Sequence, residues 1–86
     1  MTTSTLPVVY KPPGAVALPD NTQWENRFEI HSENSNRVYI VAQNKKKRHW
    51  GCSCMGYRRW RRCKHLETLG LPTNEIPYEV KLVDVQ

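Results

Sequence analysis

Three cysteines and one histidine crowd into one fourteen-residue stretch, with Cys52-Ser53-Cys54 at its start and Cys63-Lys64-His65 at its end. Three thiolates and one imidazole form a closed tetrahedral donor set of the kind structural zinc prefers. The order is C-x-C, a loop, then C-x-H. Each ligand pair can therefore be presented from one short extended or turned segment, and the intervening loop is long enough to fold back. Two alternatives compete. A Cys52–Cys54 disulfide would close a small strained ring, whereas bridged cysteines want Cα atoms about 4.4–6.8 Å apart. It would also leave a third cysteine over. A Cys63–His65 nucleophile and base would lack an orienting carboxylate and would leave two cysteines unexplained. The spacing favours one Zn²⁺ per chain on Cys52, Cys54, Cys63 and His65.

Size makes the metal matter. At 86 residues the chain is one domain at most, and domains this small bury too little apolar surface to be secure without help. Apparent zinc-binding energies of about 10–16 kcal/mol in small finger peptides would outweigh the net contribution of such a core. Metal binding and folding are expected to be coupled.

The residues Trp50-Gly51-Cys52-Ser53-Cys54 and Cys63-Lys64-His65-Leu66 resemble the SWIM zinc finger. The likeness spans Trp24 to Leu69 when the upstream strands are included. That family occurs in bacterial, archaeal and eukaryotic proteins, among them transposases and Swi/Snf-type ATPases. It is regarded as a DNA-binding or protein-interaction module. The resemblance implies no catalysis, and it implies a ββα-like core with the histidine near the start of the helix.

Residue patterning divides the chain into three parts. Residues 1–23 read as a flexible tail rich in Pro and Thr, because Pro7, Pro12, Pro13 and Pro19 oppose regular pairing. Its apolar cluster, Leu6 and Val8 to Tyr10, is either incidental or a segment that orders on a partner or packs across the domain. Residues 24–71 form the zinc-binding domain. Within it, Arg27–His31 alternates and Arg37–Val41 is rich in β-branched and aromatic residues, and the two make an antiparallel hairpin around a turn at Glu33–Asn36. A turn at Asn44–Lys47 then leads to a third short strand, Arg48–Trp50, which delivers the first two cysteines. Lys64–Leu69 reads as a helix, with Leu66 and Leu69 on one face, Gly70 as its stop and Pro72 beyond. Residues 72–86 form an extension with a terminal strand over Tyr78–Leu82. The expected class is a small zinc-stabilised α+β domain of three short strands and a short helix. His31 and His49 read as surface histidines, since neither has the C-x-H pairing that favours His65.

Basic charge is concentrated around the same motif. The formal net charge is +5, and nine of the 13 basic residues fall between Lys45 and Lys64, a stretch without Asp or Glu. They are Lys45, Lys46, Lys47, Arg48, Arg58, Arg59, Arg61, Arg62 and Lys64. If the lysine turn lies near the cysteine loop, the two clusters merge into one surface suited to phosphates. Tyr57 and Trp60 interleave with the arginines and offer planes for base stacking; one of them is expected to cap the zinc site or pack on Trp50 instead. A merely solvated loop is the plainer alternative. The reading that follows is a non-catalytic nucleic-acid-binding module for DNA or RNA. The alternative is an adaptor docking an acidic protein partner. A closed four-ligand metal site leaves no open position for a substrate. No apolar run approaches the roughly 20 residues of a membrane span, and the amino terminus lacks signal-peptide regions. An intracellular location, cytoplasmic or nucleoid-associated, is therefore expected.

Overall fold

The computed structural model of the chain describes residues 6–31 and 37–83, which form a small α+β fold. Its centre is an antiparallel hairpin, β3 (Trp24–His31) and β4 (Val38–Asn44), in which Phe28 pairs with Val41 and Ile30 with Tyr39. Alternation puts Phe28 and Ile30 on the buried face, as the period of two requires. The register shifts between Glu25 and Phe28, and Asn26 there adopts φ 53°. Asparagine tolerates this left-handed conformation better than most residues. The expected turn at Glu33–Asn36 lies outside the described residues.

The third strand is displaced from its expected position. β5 covers Trp50–Cys52 and pairs with β4, so that Val41 faces Cys52 and Gln43 faces Trp50. Arg48 is excluded from the strand because its φ is 64°. The cause lies in the preceding turn: the Asn44 side-chain oxygen accepts from the backbone N–H groups of Lys46 and Lys47 at 3.0 and 2.8 Å. The Arg48 N–H then closes onto the Asn44 carbonyl at 2.9 Å. Glycine is the usual residue at such a φ; here the position is held by an arginine whose side chain is paired with Glu25 and Glu79.

Residues 6–23 carry two strands where a tail was expected. β1 (Val8–Tyr10) pairs in parallel with β6 (Lys81–Val83), and β2 (Val16–Ala17) adds a fourth strand to the main sheet beside β3. Val9 is buried in the core with Val80. The prolines are compatible with this because they fall outside the strands. The expected terminal strand over Tyr78–Leu82 is thus shorter, later and paired with the amino-terminal segment.

Two short helices complete the fold. α1 (Met55–Trp60) occupies the segment read as a loop, and α2 (Lys64–Leu69) matches the expected helix. Gly70, at φ 82°, ends α2, and the Leu71 N–H reaches back to the Leu66 carbonyl at 2.9 Å. Leu66 is fully buried against the sheet face carrying Phe28, Val41 and Trp50.

One buried polar residue ties these pieces together. The Gln43 amide nitrogen donates to the carbonyls of Arg48 and Tyr78 at 3.1 and 3.0 Å, and its oxygen accepts from Asn26 at 3.0 Å. Trp50 Nε1 donates to the same Tyr78 carbonyl at 2.9 Å. Buried amides without partners are costly. Satisfying this one fastens the 77–80 segment against β4 and β5. Among the described residues no helix is long and apolar enough to cross a membrane.

Candidate metal centre

Each cysteine–x–ligand pair sits where an extended segment turns into a helix. Cys52 ends β5, and Cys54, extended at φ −73° and ψ 160°, caps the amino end of α1. Its Sγ accepts from the Tyr57 N–H at 3.5 Å. Cys63 is likewise extended and precedes α2, which carries His65 in its first turn. Ser53, between the first two ligands, fixes their presentation. Its Oγ accepts from the Ile40 N–H at 2.9 Å, and its own N–H donates to the Ile40 carbonyl at 3.0 Å.

The fold brings together all four residues selected from the sequence. The three Sγ atoms and one His65 ring nitrogen lie within 4.8 Å of one another, with the three cysteines buried and His65 half-buried. Cys52 Sγ is 3.6 Å from His65 Nδ1. Bonds of about 2.3 Å to sulfur and 2.0–2.1 Å to nitrogen in a tetrahedron put sulfur and nitrogen about 3.6 Å apart, so this donor set fits a metal ion. All three cysteines are free thiols, and no disulfide competes for them. The Tyr39 ring lies 4.6 Å from the imidazole, tilted by 35°, and limits its rotation. Gly56 lets α1 fold tightly over the site: a Cβ there would meet the Arg62 carbonyl oxygen at 3.3 Å.

The thiols are electrostatically unequal. Hydrogen bonding to Cys63, followed by burial, pushes the Cys52 thiol far above its ordinary range. The same bond pulls Cys63 down to about 5, against the opposing effect of burial. The opposed shifts describe one proton held between Cys52 and Cys63, so the pair carries thiolate character, and thiolate is the form that ligates metal.

The other singled-out residues separate into distinct groups. Arg58, Arg59, Trp60, Arg61, Arg62 and Lys64 are exposed along the segment that carries the cysteine–histidine cluster, and Lys45, Lys46 and Lys47 are exposed on their turn. Arg62 is 3.9 Å from Glu67, a loose exposed contact. Burial lowers the His49 pKa, Glu75 opposes this, and the charges of Lys47 and Arg61 add to the lowering. Two residues expected on the binding surface are placed otherwise. Arg48 is tied to Glu25 and Glu79. Tyr57 is only 6% exposed, packed near Gly51, with Arg61 5.7 Å above its ring. Helix α1 turns Tyr57 inward while presenting Trp60 to solvent, so Tyr57 is the loop aromatic that packs.

His49 also departs from expectation. It is 4% exposed rather than a surface residue, with Trp24 edge-on to its ring at 5.6 Å and Glu75 4.0 Å from Nε2. Its backbone forms an isolated antiparallel bridge to Pro77 rather than extending a strand. It stands apart from the four-residue cluster, and His31 is exposed. Ser53 and Tyr39 were not anticipated as supports of the site. A β-branched and aromatic strand pattern marks Tyr39 only as sheet, and a serine between two cysteines carries no distinguishing signal. No protein-family model, curated protein or solved structure matches the chain.

Proposed function

We propose that the chain is a zinc-stabilised, non-catalytic nucleic-acid-binding module of the SWIM type, built on a ββα-like arrangement of β4, β5 and α2. Zinc is the ion that suits three thiolates and an imidazole in a closed tetrahedron. The observation that carries the binding role is the surface around that site. Arg58, Arg59, Arg61, Arg62 and Lys64 all face solvent on a segment anchored by four ligand residues. No acidic residue interrupts the chain from Lys45 to Lys64. Side chains held this way keep their charge available for phosphates. Lys45 to Lys47 extend the track; Arg48 and Tyr57 do not belong to it.

Salt dependence tests this reading. Each neutralised phosphate releases counterions, so log K falls linearly with log salt. About five contacts give a slope near −4.5 on duplex DNA and −3.5 on single strands. Replacing Arg58 and Arg59 together by Ala should weaken binding to every sequence and flatten the slope by up to about two contacts' worth, with metal content unchanged. Absence of binding to any polynucleotide at low salt would refute the proposal and favour an acidic protein as the partner of this surface.

A further inference from the structure

We infer that the groove beside the metal centre holds one unpaired nucleobase, which makes the module a reader of single-stranded nucleic acid. The inference rests on the binding role just proposed and specifies its substrate. The groove measures about 650 Å³ and is lined in part by Cys54, Cys63 and His65. Small-ligand sites span about 300–1,000 Å³, so a base fits within it.

The lining has two chemical zones. Tyr39, Met55 and Trp60 supply apolar and aromatic surface. Trp60 is 67% exposed and Met55 66%, so an indole and a thioether face water beside a basic cluster. Exposed apolar groups gathered in one groove mark a contact surface. Arg62, Lys64 and Glu67 supply the polar part. The Arg59 guanidinium lies 6.0 Å from the Trp60 ring centroid, bringing charge to the same aromatic.

This combination selects among anionic partners. Phosphates find Arg62 and Lys64 on the polar part of the lining and Arg59 beside Trp60, whereas the wall formed by Tyr39, Met55 and Trp60 offers no charge to pair. The group against that wall should be flat and uncharged, which describes a nucleobase. In a duplex both faces of each base are already stacked, and an indole cannot reach them without unpairing. A single strand presents its base faces at no such cost, and stacking on an aromatic is tolerant of sequence.

The test uses the full-length metal-loaded chain with three probes of equal length: a single-stranded oligodeoxynucleotide, its blunt duplex, and an abasic strand. Wild-type protein should prefer the single strand to both others. Trp60→Ala should weaken single-strand binding by roughly 5- to 150-fold, the range for one stacked base, with little change on the abasic strand. Trp60→Phe should restore most of the affinity. Trp60 is exposed and ligates nothing, so metal content and circular dichroism should be unchanged in both variants. Equal affinity for all three probes, without a Trp60 effect, would overturn this inference and leave the phosphate-binding role standing. Binding to none of them would overturn both. Poly-glutamate binding that depends on Trp60 as strongly as single-strand binding does would assign the groove to an acidic protein and overturn it as well.

Discussion

Arg48 grips Glu79 with two nitrogens, Nε at 2.7 Å from one carboxylate oxygen and Nη2 at 2.9 Å from the other. Its third nitrogen donates to Glu25 at 2.8 Å. The arginine thereby joins β3 to the segment leading into β6, using a charge that composition alone would add to the basic surface. Glu79 is held below its ordinary carboxylate range chiefly by this bond.

Arg48→Ala should therefore act on stability and leave nucleic-acid binding intact. A two-nitrogen grip on a half-exposed carboxylate, with a second acid attached, is worth about 1–2 kcal/mol. Urea unfolding should show that loss, whereas the salt slope of polynucleotide binding should stay as in wild type. A flattened slope would return Arg48 to the binding track.

Metal content and folding should be lost together. Native mass spectrometry should find one zinc per chain. Cys63→Ser or a strong chelator should remove it and abolish most ordered structure by circular dichroism, since structural zinc carries about 10–16 kcal/mol in small domains. His65→Ala should reduce metal affinity far more than His31→Ala or His49→Ala. Retention of the full circular dichroism spectrum without metal would refute the coupling.

Acid should destabilise the fold partly through His49. Burial pushes this imidazole below its ordinary value; Glu75 opposes the shift, and Lys47 and Arg61 add to it. Its Nδ1 has no hydrogen-bond partner among the described residues. The unfolded chain therefore takes up a proton near pH 6.5 that the folded chain still refuses. Stability is full above that pH and falls as pH drops from about 6.5 toward the lowered folded value, by up to about 1.4 kcal/mol per pH unit. Metal release contributes in the same direction, so the informative quantity is a difference. His49→Phe removes the titrating ring and should flatten the stability profile between about pH 7 and pH 5.5 relative to wild type. Parallel profiles would show that His49 plays no part.

The sequence alone determined the features that depend on local spacing. Cys52, Cys54, Cys63 and His65 were legible because a C-x-C and a C-x-H pair restrict their own geometry within a few residues. α2 was legible because Leu66, Leu69, Gly70 and Pro72 mark a face, a stop and a barrier on one short segment. The central strands followed from the alternation that puts Phe28 and Ile30 on one face and from the β-branched and aromatic run Val38 to Val41. Only the tertiary structure decided the rest, because those features depend on groups far apart in the chain. Val9 joins the core because β6 pairs with β1 from the other end of the sequence. Arg48 leaves the basic surface because Glu25 and Glu79 converge on it. Tyr57 turns inward and Trp60 outward because Cys54 caps a helix where no apolar period announced one. His49 is buried with Trp24 and Glu75, both remote in sequence, against its ring. Local spacing can specify a ligand set, but a charge, a ring or a strand acquires its role from the partner that long-range packing brings to it.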